Sequence, residues 1–173
     1  MATIKKQLLL NLLVIILALV NFTACNYSFS GASVPSHLKT IAVMVFADRS
    51  GSAEFDLGQR LTKRVIQRFV DDNTLLVGDR LNSDSILDGT IVSLSEADLV
   101  VVAGEKASKR RITINVRVVY KDLVKKITVF ERNFSWYGDY LLGGDITSVR
   151  SRAIEDAFDR ISQDILLGVV SNW

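Results

Sequence analysis

The sequence predicts an α/β fold, a two-layer sandwich in which a four-stranded mixed sheet carries two helices on one face, in the order β-α-β-β-β-α. Two stretches, residues 53–73 and 146–170, place apolar side chains at spacings of three and four, which is typical of amphipathic helices. Between them, residues 111–120 alternate apolar and polar side chains, as a half-buried strand does. A strand that precedes the first helix completes a crossover unit with parallel strands.

The first strand is predicted within residues 37–52. Every residue from 41 to 46 is apolar, so both faces of this strand are apolar and a central place in the sheet is favoured. Residues 48–52, DRSGS, supply the loop that follows. In the helix over 53–73, one apolar stripe consists of Leu57, Leu61, Val65, Ile66, Phe69 and Val70.

The middle of the chain is less regular. Residues Leu75 to Val77 indicate a short edge strand, and residues 87–97 indicate a longer one. A basic loop that contains a glycine, over residues 100–111, then precedes the strand with the clearest alternation.

The last third of the chain predicts a hairpin and a helix. A polar link over residues 120–126 is short enough that the strands on either side of it form an antiparallel pair, of which the second covers 127–138. Asp145 follows two glycines and is the predicted N-cap of the helix over 146–170.

The first 25 residues predict a bacterial lipoprotein signal. Lys5 and Lys6 form a positive region, and Leu8 to Val20 form an apolar stretch that is shorter than the roughly 20 residues a membrane-spanning helix needs. Residues 22–25, FTAC, resemble a lipobox, although an aliphatic residue is usual where Phe22 stands. In a lipobox the cysteine receives a diacylglyceryl group and, after cleavage, an N-acyl chain. An ordinary signal peptide or a short anchor helix is the alternative.

These features divide the chain into a signal peptide over residues 1–24, a lipidated segment over 25–36 and one α/β domain over 37–173. Removal of the signal peptide takes away two of the 21 Lys and Arg residues and none of the 19 Asp and Glu residues. The mature protein is therefore expected to carry no net charge, which does not favour nucleic-acid binding. Asn26 is not the Asp that tends to retain enterobacterial lipoproteins in the inner membrane, so a periplasmic-side anchor in the outer membrane is expected.

The composition disfavours an enzyme. The chain has one histidine, His37, in a predicted entry loop, and its one cysteine, Cys25, is assigned to the lipid. Together they are too few for a zinc site, and no glycine-rich phosphate loop is present. The sequence predicts a binding or assembly protein without a metal, and without a cofactor besides the acyl chains on Cys25.

The last six residues of the basic loop, 106–111, contain four cations, namely Lys106, Lys109, Arg110 and Arg111. Lys and Arg side chains suit an anion site, which would take a lipid headgroup, lipopolysaccharide phosphates or an acidic partner. The alternative, which the residues alone favour, is a solvated hairpin tip whose charges discourage edge-to-edge pairing of sheets.

The mature chain resembles a known family along its whole length. The matching features are Cys25, Tyr27-x-Phe29, Ser30-Gly31, the KTIAV strand at 39–43, and the stretches 87–91, 109–126 and 153–173. The family is that of the LptE-type lipopolysaccharide-assembly lipoproteins, in the form seen in Bacteroidetes and Chlorobi. The chain departs from the family pattern at Asn26, where glycine is common, and at Met44, where proline is common.

The resemblance implies an outer-membrane lipoprotein that plugs the large β-barrel LptD, helps it assemble, and binds lipopolysaccharide on its way to the cell surface. It also implies that basic loop residues contact lipopolysaccharide, which favours Lys106, Lys109, Arg110 and Arg111 as that site. The strand and turn at 39–51 are similar as well to those of secretion-channel subunits of the curli type and of activators of peptidoglycan synthases. Both remain alternatives, although no hairpin long enough for a pore is evident.

Overall fold

The computed structural model describes residues 34–99 and 109–171. The chain divides into two units, residues 1–31 and 32–173, and all the described residues belong to the second. The predicted signal peptide, Cys25 and Lys106 lie outside the described residues. The boundaries proposed at residues 24 and 36 both stay predictions.

The described residues form six strands and two helices. The strands are β1 (Thr40–Val43), β2 (Ala47–Asp48), β3 (Leu76–Val77), β4 (Ser85–Asp98), β5 (Lys109–Asp122) and β6 (Ile127–Leu141). The helices are α1 (Leu57–Asp72) and α2 (Ile146–Val170). The short edge strand predicted near Leu75–Val77 is present as β3.

The sheet is mixed, and its strand order is β3-β1-β4-β5-β6, with β2 paired to β4. β1 runs parallel to β3 and β4, whereas β5 is antiparallel to both of its neighbours, β4 and β6. The prediction of four strands is therefore wrong. The two strands outside that count, β2 and β3, are two residues long each. The sequence indicates β3 as a short edge strand, whereas β2 is too short to show the alternation that reveals a strand.

The helices agree in position with the prediction but not at every end. α1 starts at Leu57 and not at residue 53, after Asp56 in a left-handed conformation with φ 57°. Four residues of the predicted apolar stripe are buried, whereas Val70 is exposed. Asp145 is the N-cap of α2 as predicted, because its carboxylate accepts a hydrogen bond from the Ser148 N–H at 3.3 Å.

The core lies between the helices and the sheet. α1 packs on β1, β2, β3 and β4, α2 packs on β5 and β6, and the two helices contact each other. β5 supplies a stripe of fully buried side chains, Ile112, Ile114, Val116, Val118 and Tyr120. The residues between them are half-buried or exposed, so one face of β5 is apolar and covered while the other is polar.

A glycine on the edge strand sets how closely α2 approaches the sheet. A Cβ atom added to Gly138 would overlap the backbone carbonyl of Ala153 on α2. Because this obstacle is backbone, a rotamer change cannot remove it, and α2 would have to move away from β6.

We expect Gly138→Ala to lower the free energy of unfolding by about 1–3 kcal/mol through overpacking. Urea denaturation followed by circular dichroism measures the loss. The matched control is Gly143→Ala, since a Cβ there meets no atom within 4 Å. Equal stabilities of the two variants would contradict the close approach.

Candidate functional site

The predicted basic cluster is divided by the fold. Lys109, Arg110 and Arg111 are the first residues of β5, whereas Lys106 lies outside the described residues. Successive side chains of a strand point to opposite faces, so Arg110 shares the face of the buried Ile112 and Arg111 lies on the polar face. The two arginines therefore do not form one continuous cationic surface.

Arg110 is held by a carboxylate on the neighbouring strand. Its Nε donates to Asp98 Oδ1 at 2.6 Å across the β4–β5 pair. This hydrogen bond is the main reason that the pKa of Arg110 is raised, and a hydrogen bond with Tyr140 adds to it. The charge of Arg110 is thus matched locally.

Arg111 is held in a second, bidentate arrangement on the polar face. Its guanidinium donates to the two carboxylate oxygens of Asp139, at 2.7 and 2.9 Å. The same guanidinium lies 3.7 Å from the ring centre of Tyr137, which in turn stacks on Trp136 with an angle of 6° between the rings. The hydrogen bonds from Arg111 lower the pKa of Asp139.

These residues form a platform on the edge strand that the sequence did not reveal, and we call Arg111, Trp136, Tyr137 and Asp139 the aromatic platform. Trp136 and Tyr137 are both exposed. Only the hairpin register, which pairs Arg111 with Asp139 and Thr113 with Tyr137, brings them together. The sequence predicts the hairpin but not which residues of its two strands lie opposite each other, and that register would have identified Asp139 and Tyr137 as neighbours of Arg111.

A chain of ion pairs, which we call the ionic seam, joins both helices to one end of the sheet. Arginines spaced four apart on α1 meet two carboxylates spaced four apart on α2, in the pairs Arg60–Glu155 (2.8 Å), Arg64–Glu155 (3.0 Å), Arg64–Asp159 (3.5 Å) and Arg68–Asp159 (2.7 Å). Glu54 links Arg60 to Arg150 at the start of α2. Arg150 and the Tyr140 hydroxyl then donate to Glu96 on β4, each at 2.8 Å.

The seam shifts the pKa of its carboxylates. Burial by itself would raise the pKa of Glu155, but the hydrogen bonds from Arg64 and Arg60 outweigh burial and the net pKa is lowered. Glu96 behaves in the same way, because the hydrogen bonds from Tyr140 and Arg150 outweigh the burial of its carboxylate. A carboxylate with a lowered folded pKa stabilises the protein above its unfolded pKa, and this stabilisation is lost as the pH falls through the folded value.

We expect the seam to make the protein acid-sensitive below the ordinary Glu pKa of 4.5. Glu155→Gln should lower the free energy of unfolding at pH 7 by about 0.5–1 kcal/mol, since the Glu155 side chain is partly exposed and screened by solvent. The difference from wild type should shrink as the pH falls below 4.5, as urea midpoints between pH 7 and pH 3 would measure. Asp156→Gln, on the exposed side of the same helix, is the control, and an unchanged difference at pH 3 would contradict the proposed linkage.

A third polar cluster joins the first described residues to the end of the sheet where β4 starts and β5 ends. Asp122, whose side chain is fully buried, accepts a hydrogen bond from His37 Nε2 at 2.6 Å and one from the Lys125 N–H at 2.8 Å. Asp84 accepts from the N–H groups of Lys39 and Thr40. His37, which the sequence places in an entry loop, is therefore half-buried and ties this loop to the last residue of β5.

Two features are absent from the described part of the chain. Within residues 34–99 and 109–171, no helix is long and apolar enough to cross a membrane. Over the same residues, no three His, Cys, Asp or Glu side chains come together as a group that could hold a metal ion.

The comparisons with known proteins identify a family. The LptE family model, for lipopolysaccharide assembly, matches residues 38–167, which is about three quarters of the chain. The chain therefore belongs to the LptE lipopolysaccharide-assembly family. This membership assigns it a role in lipopolysaccharide assembly in the cell envelope, in a family of lipoproteins without catalytic activity.

Solved structures share the fold at low identity. A protein from Xanthomonas campestris is 14% identical, with a TM-score of 0.60 over 80% of this chain and 87% of that one. A hypothetical protein from Chlamydia trachomatis is 11% identical, with a TM-score of 0.56 over 76% of this chain and 98% of that one. Among curated proteins, none matches this chain.

Proposed function

We propose that this protein is an outer-membrane lipoprotein, anchored through acyl chains on Cys25, that plugs and helps to assemble an LptD-type β-barrel and binds lipopolysaccharide there. The observation that carries the proposal is the family match over residues 38–167. In this proposal no bond is made or broken, and the protein acts by position and charge alone.

The cations at the start of β5 are the proposed contacts to the lipopolysaccharide phosphates, together with Lys106. Lys109 is exposed and forms no ion pair with any described residue. The Arg110 and Arg111 side chains are partly exposed but already paired with carboxylates. Lys109 can therefore bind a phosphate without breaking an ion pair. Arg110 and Arg111 must each release a carboxylate before they can bind a phosphate.

The aromatic platform supports this location. It offers a cation beside two exposed aromatic side chains, and an amphiphile with phosphates, sugars and acyl chains presents surfaces that suit both. The alternative of a purely solvated hairpin tip does not require exposed aromatic side chains next to the arginine.

The partnership is tested by purification of tagged, full-length protein from detergent-solubilised membranes, with mass spectrometry of the co-purified proteins. We expect a large outer-membrane β-barrel in near-stoichiometric amount, and a mass for the purified chain that includes the acyl groups on Cys25. Self-association alone would instead support a secretion-channel subunit. A peptidoglycan synthase in place of the barrel would support an activator.

The lipopolysaccharide site gives a prediction with an unusual sign. Asp139→Asn removes the carboxylate that competes with phosphate for Arg111, so we expect the affinity for lipopolysaccharide to rise by about two- to five-fold, the strength of an exposed ion pair. Biolayer interferometry with immobilised lipopolysaccharide measures this affinity.

The matched control is Glu131→Gln, which changes the net charge equally and releases Arg117 in the middle of β5. Equal gains in both variants would attribute the effect to net charge and not to Arg111. A loss of affinity in Asp139→Asn would show that the intact ion pair orients the arginine.

A further inference from the structure

One end of the sheet exposes apolar and cationic side chains side by side. The four-residue turn between β5 and β6, with the first residue of β6, presents Leu123, Val124 and Ile127, of which Val124 is 55% exposed, together with the exposed Lys125 and Lys126. The loop between β3 and β4 adds Arg80 and Leu81, and Leu81 is 93% exposed. The two loops are joined, because the Leu123 N–H donates to the Asp84 carbonyl at 2.8 Å. We call residues 80–81 and 123–127 the sheet tip.

The charges of the sheet tip that face solvent are positive. Arg80, Lys125 and Lys126 form no ion pair with any residue in the described ranges. Asp122 is buried against His37, and Asp84 accepts from the Lys39 and Thr40 N–H groups. Asp79, beside Arg80, is exposed, and its carboxylate accepts hydrogen bonds from the Leu81 and Asn82 N–H groups. The three cations of the tip therefore still outnumber this one exposed anion. An apolar surface rimmed by long cationic side chains is the pattern of segments that lie in the headgroup region of a bilayer.

The sheet tip lies at the end of the domain that is nearest in the chain to the predicted lipid anchor on Cys25. The first described residues enter at this end, where His37 contacts Asp122 at 2.6 Å. Only eight residues separate Cys25 from Val34, so the anchor lies within about 30 Å of chain from this end, at roughly 3.3–3.6 Å per residue. The opposite end also exposes Leu141, yet β6 places it fourteen residues further along the sheet from Ile127.

We propose that in the free lipoprotein, before it enters the barrel, the sheet tip lies in the headgroup region of an anionic phospholipid bilayer, with Leu81, Val124 and Ile127 towards the acyl chains and Arg80, Lys125 and Lys126 at the phosphates. The inference rests on the acyl anchor of the proposed function, which holds this end of the sheet at the membrane. The tip gives the anchored domain a defined orientation, which acyl chains on a linker cannot supply.

Fluorescence with a site-specific label tests the orientation. Cys25 is the only cysteine in the chain, so Val124→Cys provides one free thiol for an environment-sensitive dye in the acylated protein. The control is Leu141→Cys at the opposite end, with a 59% exposed side chain against 55% for Val124. The labelled full chains are reconstituted in vesicles of phosphatidylethanolamine and phosphatidylglycerol, with brominated lipid as the quencher.

We expect a blue shift and lipid quenching at position 124 and neither at position 141. Equal quenching at both positions, or none at either, would overturn the proposal. A shift at position 124 that requires the barrel protein and not the vesicle would overturn it too, because the tip would then be a protein contact.

A second set of samples separates this inference from the anchor itself. In Cys25→Ser protein, a hexahistidine tag before residue 26 and a nickel-chelating lipid replace the acyl tether, so the same quenching is measured whether or not the native chain is acylated. The mass of the native chain reports acylation independently. Quenching at the sheet tip together with an unmodified Cys25 in the native chain would support the membrane contact of the tip and refute acylation. An acylated Cys25 without quenching at the tip would support acylation and refute the membrane contact.

The cations are tested without any tether. Each lysine near an anionic surface is expected to contribute about a five-fold factor in affinity, so Lys125→Gln with Lys126→Asn should weaken sedimentation of Cys25→Ser protein with phosphatidylglycerol vesicles by roughly 25-fold. Asn suits position 126, where φ is 58°. Lys63→Gln with Arg152→Gln, which removes the same charge from exposed helix positions, is the control. Equal affinities of the two double variants would overturn the role of the tip.

Discussion

The close approach of α2 to the edge strand is the constraint on which the rest of the structure depends. Gly138 leaves room for the backbone of Ala153, and at the other end of the helix a side chain at Gly168 would come within 3.3 Å of the Phe134 ring. With both contacts fixed, the long apolar side chains of α2 reach the buried stripe of β5, where large side chains each gain roughly 1.5–3 kcal/mol from burial. A side chain at Gly138 would push the helix away and open the core, and one at Gly168 would crowd the Phe134 ring.

The ionic seam follows from that helix position. Exposed ion pairs contribute little one at a time, since side-chain entropy and solvent oppose them. Their spacing nevertheless selects one register: Arg60, Arg64 and Arg68 repeat every four residues, as do Glu155 and Asp159. A slip of α2 by one turn would leave a carboxylate or a guanidinium of the seam without its partner. The apolar contacts thus supply the stability, and the charges specify which packing of the two helices is used.

Local patterns predicted the long elements and failed where the determinants are distant in the sequence. The alternation along β5 and the N-cap at Asp145 were visible because each depends on neighbouring residues. β2 was missed because two residues cannot display a period, and β3 was indicated by its apolar residues but not counted among the four strands. Arg110 and Arg111 are adjacent in the sequence and on opposite faces in the fold, which strand geometry implies only once the strand is known to start at Lys109. The His37–Asp122 contact spans 85 residues, and no local pattern announces it.

The proposed lipopolysaccharide contact and the proposed membrane contact lie at opposite ends of the long strands. β5 begins at the basic loop and ends at the sheet tip, and its 14 residues extend over about 45 Å at roughly 3.3 Å per residue. If the tip of the free lipoprotein rests on the membrane that holds the anchor, the cations at Lys109–Arg111 stand at the far end of the sheet. In that state they lie well away from the bilayer surface, so the lipid headgroups do not compete for them, and they stay available for the phosphates of lipopolysaccharide.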